Sequence, residues 1–191
     1  MAVRIYSPGV TPTKVRVLEA AVELLGTEGL RSLTHARVDE QAGLPKGSTS
    51  NYFRTRAQLL IGVNDWISER DLASADDIAT APHTAADLVE GLAIGIEMLT
   101  GPYRIVTAAR LTLFMEANHN PEIRSAVSHT RTVMERSIVA VMARLGATDP
   151  HTTALALMAC SEGIILHRIA RHDTTDPRPL LRVVVSAGLV G

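Results

Sequence analysis

The chain has 191 residues, enough for one large domain or two small ones around a proper core. A hydrophobic content of 46% excludes a disordered chain, and the single Cys160 excludes an internal disulfide framework. The net charge of −1 excludes nothing by itself, but it is unevenly placed: residues 1–60 hold 8 Lys or Arg against 5 Asp or Glu, and residues 61–191 hold 11 against 15.

In chain order, capping residues and prolines predict nine helices and no strand. Pro fits the first helical position because that N–H has no partner anyway. A preceding Ser, Thr, Asp or Asn accepts one of the other free N–H bonds. Thr11-Pro12 opens the first helix, with Val15, Leu18, Val22 and Leu25 on its apolar face, and Gly29 ends it. Thr34 opens a short second helix that stops at Gly43, and Leu44-Pro45 opens a third through Phe53. Thr55 and Gln58 have capping-box spacing. They open a long fourth helix to about Ala79, with Leu59, Leu60, Val63, Trp66 and Ile67 at core spacing. Thr84 with Asp87 opens the fifth, which carries Leu88, Leu92, Ile96 and Leu99. Gly101-Pro102 breaks it, and a sixth runs to about Asn118. Asn120-Pro121 opens the seventh, ending near Gly146; Asp149-Pro150 opens the eighth, to about His172; Asp176-Pro177 opens the ninth, to about Val190. The expected fold is all-α, with an N-terminal domain over 1–54, a connecting fourth helix over 55–80 and a C-terminal domain over 81–191.

Residues 33–60, LTHARVDEQAGLPKGSTSNYFRTRAQLL, read as a helix-turn-helix. Gly43 tolerates positive φ where the second helix ends. Ala36, Val38, Ala42 and Leu44 are small or apolar, so the two helices can pack closely with Phe53 behind them. Gly47, placed at the start of the third helix, keeps bulk away from an approaching groove. Lys46, Ser48, Thr49, Ser50 and Asn51 surround the exposed N-terminal half of that helix. In this motif that half enters the major groove. Ser, Thr and Asn read base edges there, and Lys binds phosphate or guanine. Thr34, His35, Tyr52, Thr55 and Arg56 are placed for phosphates, with the N-termini of helices two and four adding free N–H groups. A mildly basic head on an acidic body suits such a DNA-reading part.

Residues 12–66 resemble the DNA-binding domain of TetR-family transcriptional regulators, and the later helices follow that family's usual order. The resemblance is carried by LLGTEGL at the end of the first helix, LTHARVDEQAGLPKGSTSNYF, and RTRAQLL. The family pattern after the turn glycine is commonly Val-Ser-Lys-Gly-Thr-Leu-Tyr-His-Tyr-Phe; here it is Leu44-Pro45-Lys46-Gly47-Ser48-Thr49-Ser50-Asn51-Tyr52-Phe53. Pro45 replaces the usual cap, and Ser50 and Asn51 replace a Tyr-His pair. The resemblance implies a ligand pocket among helices four to eight. Candidate lining residues are Trp66, Met98, Tyr103, Arg110, Phe114, Met115, Asn118, Met134 and Cys160. Core packing is the competing role for most of them, because Met and aromatics at helical spacing usually pack. Arg110, amid Ala108, Ala109 and Leu111, could pair with a ligand anion or with Glu116, or face water.

Helices eight and nine carry apolar residues on more than one side, as a helix buried all round does. That pattern suggests a two-fold dimer through Leu155, Ala159, Gly163, Leu166, Leu181, Val184 and Val185, with Ala159 and Gly163 allowing close approach. The resemblance implies the same four-helix interface. The alternative is that both helices bury within one protomer.

Enzyme chemistry finds no motif: the His residues show no i,i+4 pairing, and HExxH, GxGxxG, P-loop and GxSxG are all missing. No cofactor or metal is expected, and Cys160 in an apolar run reads as inert packing. The longest unbroken apolar run, Ala154 to Cys160, is too short to span a bilayer. No signal peptide is read at the N-terminus, and the single Cys fits a reducing cytoplasm. The expected function is a one-component regulator, a repressor that binds a palindromic double-stranded DNA operator as a homodimer and is released by a small-molecule effector. The alternative is a helical small-molecule carrier without sequence-specific DNA binding.

Overall fold

The computed structural model describes the backbone of residues 12–80 and 82–189, and the side chains of all of these but 70–80. Among the described residues there are nine α-helices, one 3-10 turn and no strand. They are α1 (Thr13–Glu28), the 3-10 turn (Leu30–Ser32), α2 (His35–Gln41), α3 (Ser48–Tyr52), α4 (Arg56–Thr80), α5 (Ala85–Thr100), α6 (Arg104–Glu116), α7 (Pro121–Arg144), α8 (Pro150–Ala170) and α9 (Arg178–Leu189).

Most helix starts use the caps the sequence offers. Gln58 N donates to Thr55 Oγ1 at 3.1 Å, and Gln58 Oε1 accepts from Thr55 N at 3.3 Å and from Arg54 N at 2.9 Å. Thr84 and Asp87 close the same reciprocal box ahead of α5. Asn120 Oδ1 accepts from Glu122 N and Ile123 N, and Asp149 Oδ1 from Thr152 N. Thr11 and Val190 lie outside the described residues, and α1 has Pro12 at its N-cap. The main departure is α3, which begins at Ser48 rather than at Leu44-Pro45. Gly47 takes the left-handed conformation, φ 88°, so Pro45 to Gly47 turn before the helix can start.

Among the described residues the chain divides into two compact units, one within 1–67 and 102–127, the other within 68–101 and 128–191. In the first, α1 is central. Val17, Leu18, Ala21, Val22, Leu24 and Leu25 are all buried, because α2 and α6 pack against α1 and Leu59, Leu60, Val63 and Ile67 of α4 join the same core. Gly26 permits the approach of α6: a Cβ there would overlap the Ile105 carbonyl and lie 2.7 Å from Ile105 Cγ2. Gly26→Ala is therefore expected to lower stability by about 1–3 kcal/mol, the usual range for overpacking. Thermal unfolding followed by circular dichroism checks this; an unchanged midpoint would contradict the packing.

In the second unit, α5, α8 and α9 enclose Leu88, Ala93, Ile96, Ala154, Leu157, Leu181 and Val185, joined by Ile138, Val141 and Met142 of α7. Arg178 at the head of α9 ties it to α5, donating to Glu90 at 2.7 and 2.8 Å and to Glu97 at 2.6 Å. Hydrogen bonds to Glu90, Glu97 and Asp176 raise the guanidinium pKa further above its ordinary value. Arg168 of α8 donates to the buried Thr100 hydroxyl of α5 at 2.8 Å.

Candidate nucleic-acid interface

At five residues, α3 is too short to stand alone, since isolated helices under about 12 residues are marginal in water. It must be held by its neighbours. Its inward face is Thr49, 0% exposed, followed four positions later by the buried Phe53. The buried Asp39 of α2 meets it. Asp39 Oδ1 accepts from Thr49 N at 2.8 Å and from Thr49 Oγ1 at 2.6 Å, and Oδ2 accepts from Gly47 N at 2.7 Å. Burial pushes the Asp39 carboxyl up, but the bonds from Thr49 and Gly47, with His35 nearby, together bring it below the ordinary carboxylate value. The turn is closed from α1. Arg16 Nη2 donates to the carbonyls of Ala42 at 2.7 Å and Gly43 at 3.2 Å, where Gly43 adopts φ 62°.

With its inner face pinned, α3 presents Ser50, Asn51 and Tyr52 outward, and Lys46 and Gly47 are exposed in the turn before it. Ser48 is half-buried and its hydroxyl donates to Pro45 O at 2.6 Å. Thr34 is exposed and caps α2, accepting from Arg37 N at 3.2 Å; Thr55 is exposed and caps α4. Three expected contact residues are engaged by the protein itself. Thr49 faces wholly inward because Asp39 takes both its N–H and its hydroxyl. His35 is half-buried with Nε2 2.7 Å from Phe53 O, so that nitrogen carries a proton and donates to the carbonyl. Arg56 donates from Nε to Leu33 O at 3.1 Å and from Nη2 to Leu30 O at 2.6 Å, tying α4 to the 3-10 turn.

Sequence reasoning missed Asp39, Arg16 and Arg54. Asp39 lies between Val38 and Ala42, both on the inner side of α2, and that placement was the available signal. Arg54, exposed just before Thr55, adds a cation at the start of α4. Nothing in the sequence marks Arg16 as a clamp on residues so far along the chain.

The candidate ligand residues fall in both units. In the first, Trp66 packs against the core around α1, Tyr103 and Arg110 are half-buried, and Phe114, Met115 and Asn118 are exposed. In the second, Met98 is exposed, while Met134 and Cys160 are half-buried; burial pushes the Cys160 thiol up.

Of the residues expected at the dimer face, Ala159 and Leu166 are exposed, and Leu155, Gly163 and Val184 are half-buried. Leu181 and Val185 are corrected: both are buried in their own unit's core, one turn apart on the side of α9 that faces α5 and α8. The outward side of α9 is Leu180, Val183 and Ala187, while Val184 is half-buried against the core. Although no single apolar run of α8 is long, the helix as a whole is long and apolar enough to cross a membrane by length and composition. Its mean hydropathy is 1.3 over 18 residues, of which 17% are buried. Its exposed apolar positions are Ala156, Ala159, Leu166 and Ala170, while Leu155, Met158, Ile164 and Ile169 are half-buried.

Residues 17–63 match the family model described as bacterial regulatory proteins, tetR family, and residues 82–190 match that described as tetracyclin repressor-like, C-terminal domain. Solved structures are similar over nearly the whole chain. A TetR-family member from Streptomyces coelicolor A3 is 26% identical with a TM-score of 0.71, over 93% of this chain and 98% of that one. The multidrug binding protein EbrR, complexed with ethidium, is 26% identical with a TM-score of 0.69, over 92% and 98% respectively. A TetR transcription regulator from Haloarcula marismortui ATCC 43049 shares the fold at 17% identity, with a TM-score of 0.79 over 92% and 97%. No curated protein matches the chain.

Proposed function

The chain belongs to the tetR family of bacterial regulatory proteins, and from that premise we propose a one-component repressor. In this reading a homodimer reads a palindromic operator and leaves it when a small-molecule effector binds. The observation that carries the proposal is the outward face of α3: Ser50, Asn51 and Tyr52, with Lys46 beside them, on a helix pinned from behind. Asn can bond an adenine edge in bidentate fashion, and Lys a guanine edge or a phosphate. Thr34, Thr55, Arg54 and the free N–H groups starting α2 and α4 suit phosphates, which fix register without reading sequence.

So short a reading helix touches few bases, which favours two copies. The uncovered apolar sides of α8 and α9, with Ala159, Gly163, Leu166, Leu180 and Val183, suit a two-fold partner. In this division of labour residues 1–54 read DNA, 55–80 connect, and 81–191 bind effector and partner. EbrR holds ethidium on a similar fold, which supports an organic effector here. Both α4 and α7 run from one unit into the other, and α4, which follows directly on the reading head, is in this reading the covalent route by which an effector alters it. Such couplings are typically about 1–3 kcal/mol, or about 5–150-fold in affinity.

Titrating a labelled duplex of mixed sequence at about 50 and about 200 mM salt tests the DNA-binding half of the proposal. Contacts to six or more phosphates should weaken binding by about a thousandfold or more across that range. A ligand carrier would bind at neither salt concentration.

A further inference from the structure

We propose that Asp39 is the positioning residue of the reading head: its carboxylate caps α3 from α2 and fixes the direction in which Ser50, Asn51 and Tyr52 point. The inference rests on α3 being the reading helix, as proposed above.

Three observations converge. First, α3 has no cap of its own: its N-cap is Gly47, which has no side chain to accept an N–H. The first turn of a helix has free N–H groups that need acceptors. Asp39 supplies them across the turn, accepting from Thr49 N at 2.8 Å and from Gly47 N at 2.7 Å. A carboxylate also complements the positive end of the helix dipole. Second, little else on α3 itself is buried. Thr49 is the only buried residue within α3 and it is polar, and the apolar anchor Phe53 lies just past the helix, so the first turn has no apolar contact of its own to set its rotation. The 2.6 Å bond from the Thr49 hydroxyl to Asp39 sets that rotation instead. Third, both partners are shut away from water, Asp39 at 2% exposure and Thr49 at 0%. A buried carboxylate with three donors is costly to disturb, because any group left unmatched has no water to turn to.

The three bonds have directional consequences. Asn at position 39 is nearly isosteric but brings its own N–H donors to a site filled with donors, so it must oppose either Gly47 N–H or Thr49. Val at position 49 keeps the shape of Thr and removes the hydroxyl. Ser keeps the hydroxyl and loses a methyl group. A packing role alone would rank Val above Ser; an orienting role ranks Ser above Val.

The test compares Asp39→Asn, Thr49→Val and Thr49→Ser with the wild type in three measurements. These are affinity for a duplex that the wild type selects from a random pool, affinity for a mixed-sequence duplex, and amide hydrogen exchange over residues 44–53. In Asp39→Asn and Thr49→Val, affinity for the selected duplex should fall about tenfold or more, the scale of one lost base contact. Binding to the mixed duplex should fall far less, because the phosphate contacts proposed for Thr34, Arg54, Thr55 and the starts of α2 and α4 lie outside α3. Exchange should quicken in residues 44–53 while α1 stays protected, and Thr49→Ser should behave as wild type. Selected-duplex affinity unchanged in Thr49→Val, or lost equally in Thr49→Ser, would overturn the inference. Should Asp39→Asn unfold the head, the Thr49 pair decides. If the wild type selects no duplex, the DNA-reading proposal fails instead, and exchange of the Gly47 and Thr49 amides still tests the cap separately.

Discussion

Leu166→Arg is expected to turn the dimer into a monomer and to weaken operator binding by about 10²–10⁴-fold. Leu166 is exposed on α8, in the row Leu155, Ala159, Gly163, Leu166, so Arg there leaves the protomer's own core untouched. At a two-fold interface the same change places two like charges against an apolar surface, and an unpaired buried charge costs several kcal/mol. The loss in DNA affinity follows from bivalency rather than from any contact with DNA. Once one head is bound, a linked second head binds at high effective concentration, which raises avidity by about 10²–10⁴-fold. Sedimentation equilibrium and titration of a selected duplex read both halves of the prediction. A variant that stays dimeric would move the interface off α8. A monomer that binds as tightly as wild type would remove the need for two heads.

Asn51→Ala is expected to cost about 1–3 kcal/mol on the selected duplex, and to relax preference at one position in each half-site. Asn51 is exposed at the centre of the outward face of α3. Its side chain makes no bond that the fold needs, so thermal stability should not move. Lys46→Ala should behave differently if it meets a phosphate, weakening all duplexes alike and lowering the salt slope by about 1. If Lys46 reads guanine instead, its loss changes the selected sequence. Unaltered affinity in both variants would place the reading surface elsewhere.

Much of this architecture could be read from the chain before any coordinates. Cap pairs such as Thr55–Gln58, Thr84–Asp87 and Asp149–Pro150 are local signals, and each marks the helix start seen in the structure. The turn at Gly43 is equally local. What escaped was non-local or masked by residue type. Position 49 is commonly Leu in the family pattern, a sign of an inward position, but the polar Thr drew the opposite reading. Asp39 carries no local signal, because its partners lie eight and ten residues away. The return of α6 to α1 through Gly26 is a long-range packing event with no periodic signature. On α9 the run Val183-Val184-Val185 is apolar all round, so sequence could not tell the core side, Leu181 and Val185, from the outer side.

The most direct test of the central proposal, that two copies of α3 read a symmetric site, is selection of bound duplexes from a random pool. Wild-type protein, unfolded and refolded to strip any carried small molecule, would be used at near-physiological salt. The expected result is a palindrome whose half-sites lie about ten base pairs apart, or a multiple of that, one copy of α3 to each major groove. No enrichment by a folded dimer, or enrichment of one unpaired half-site, would contradict it.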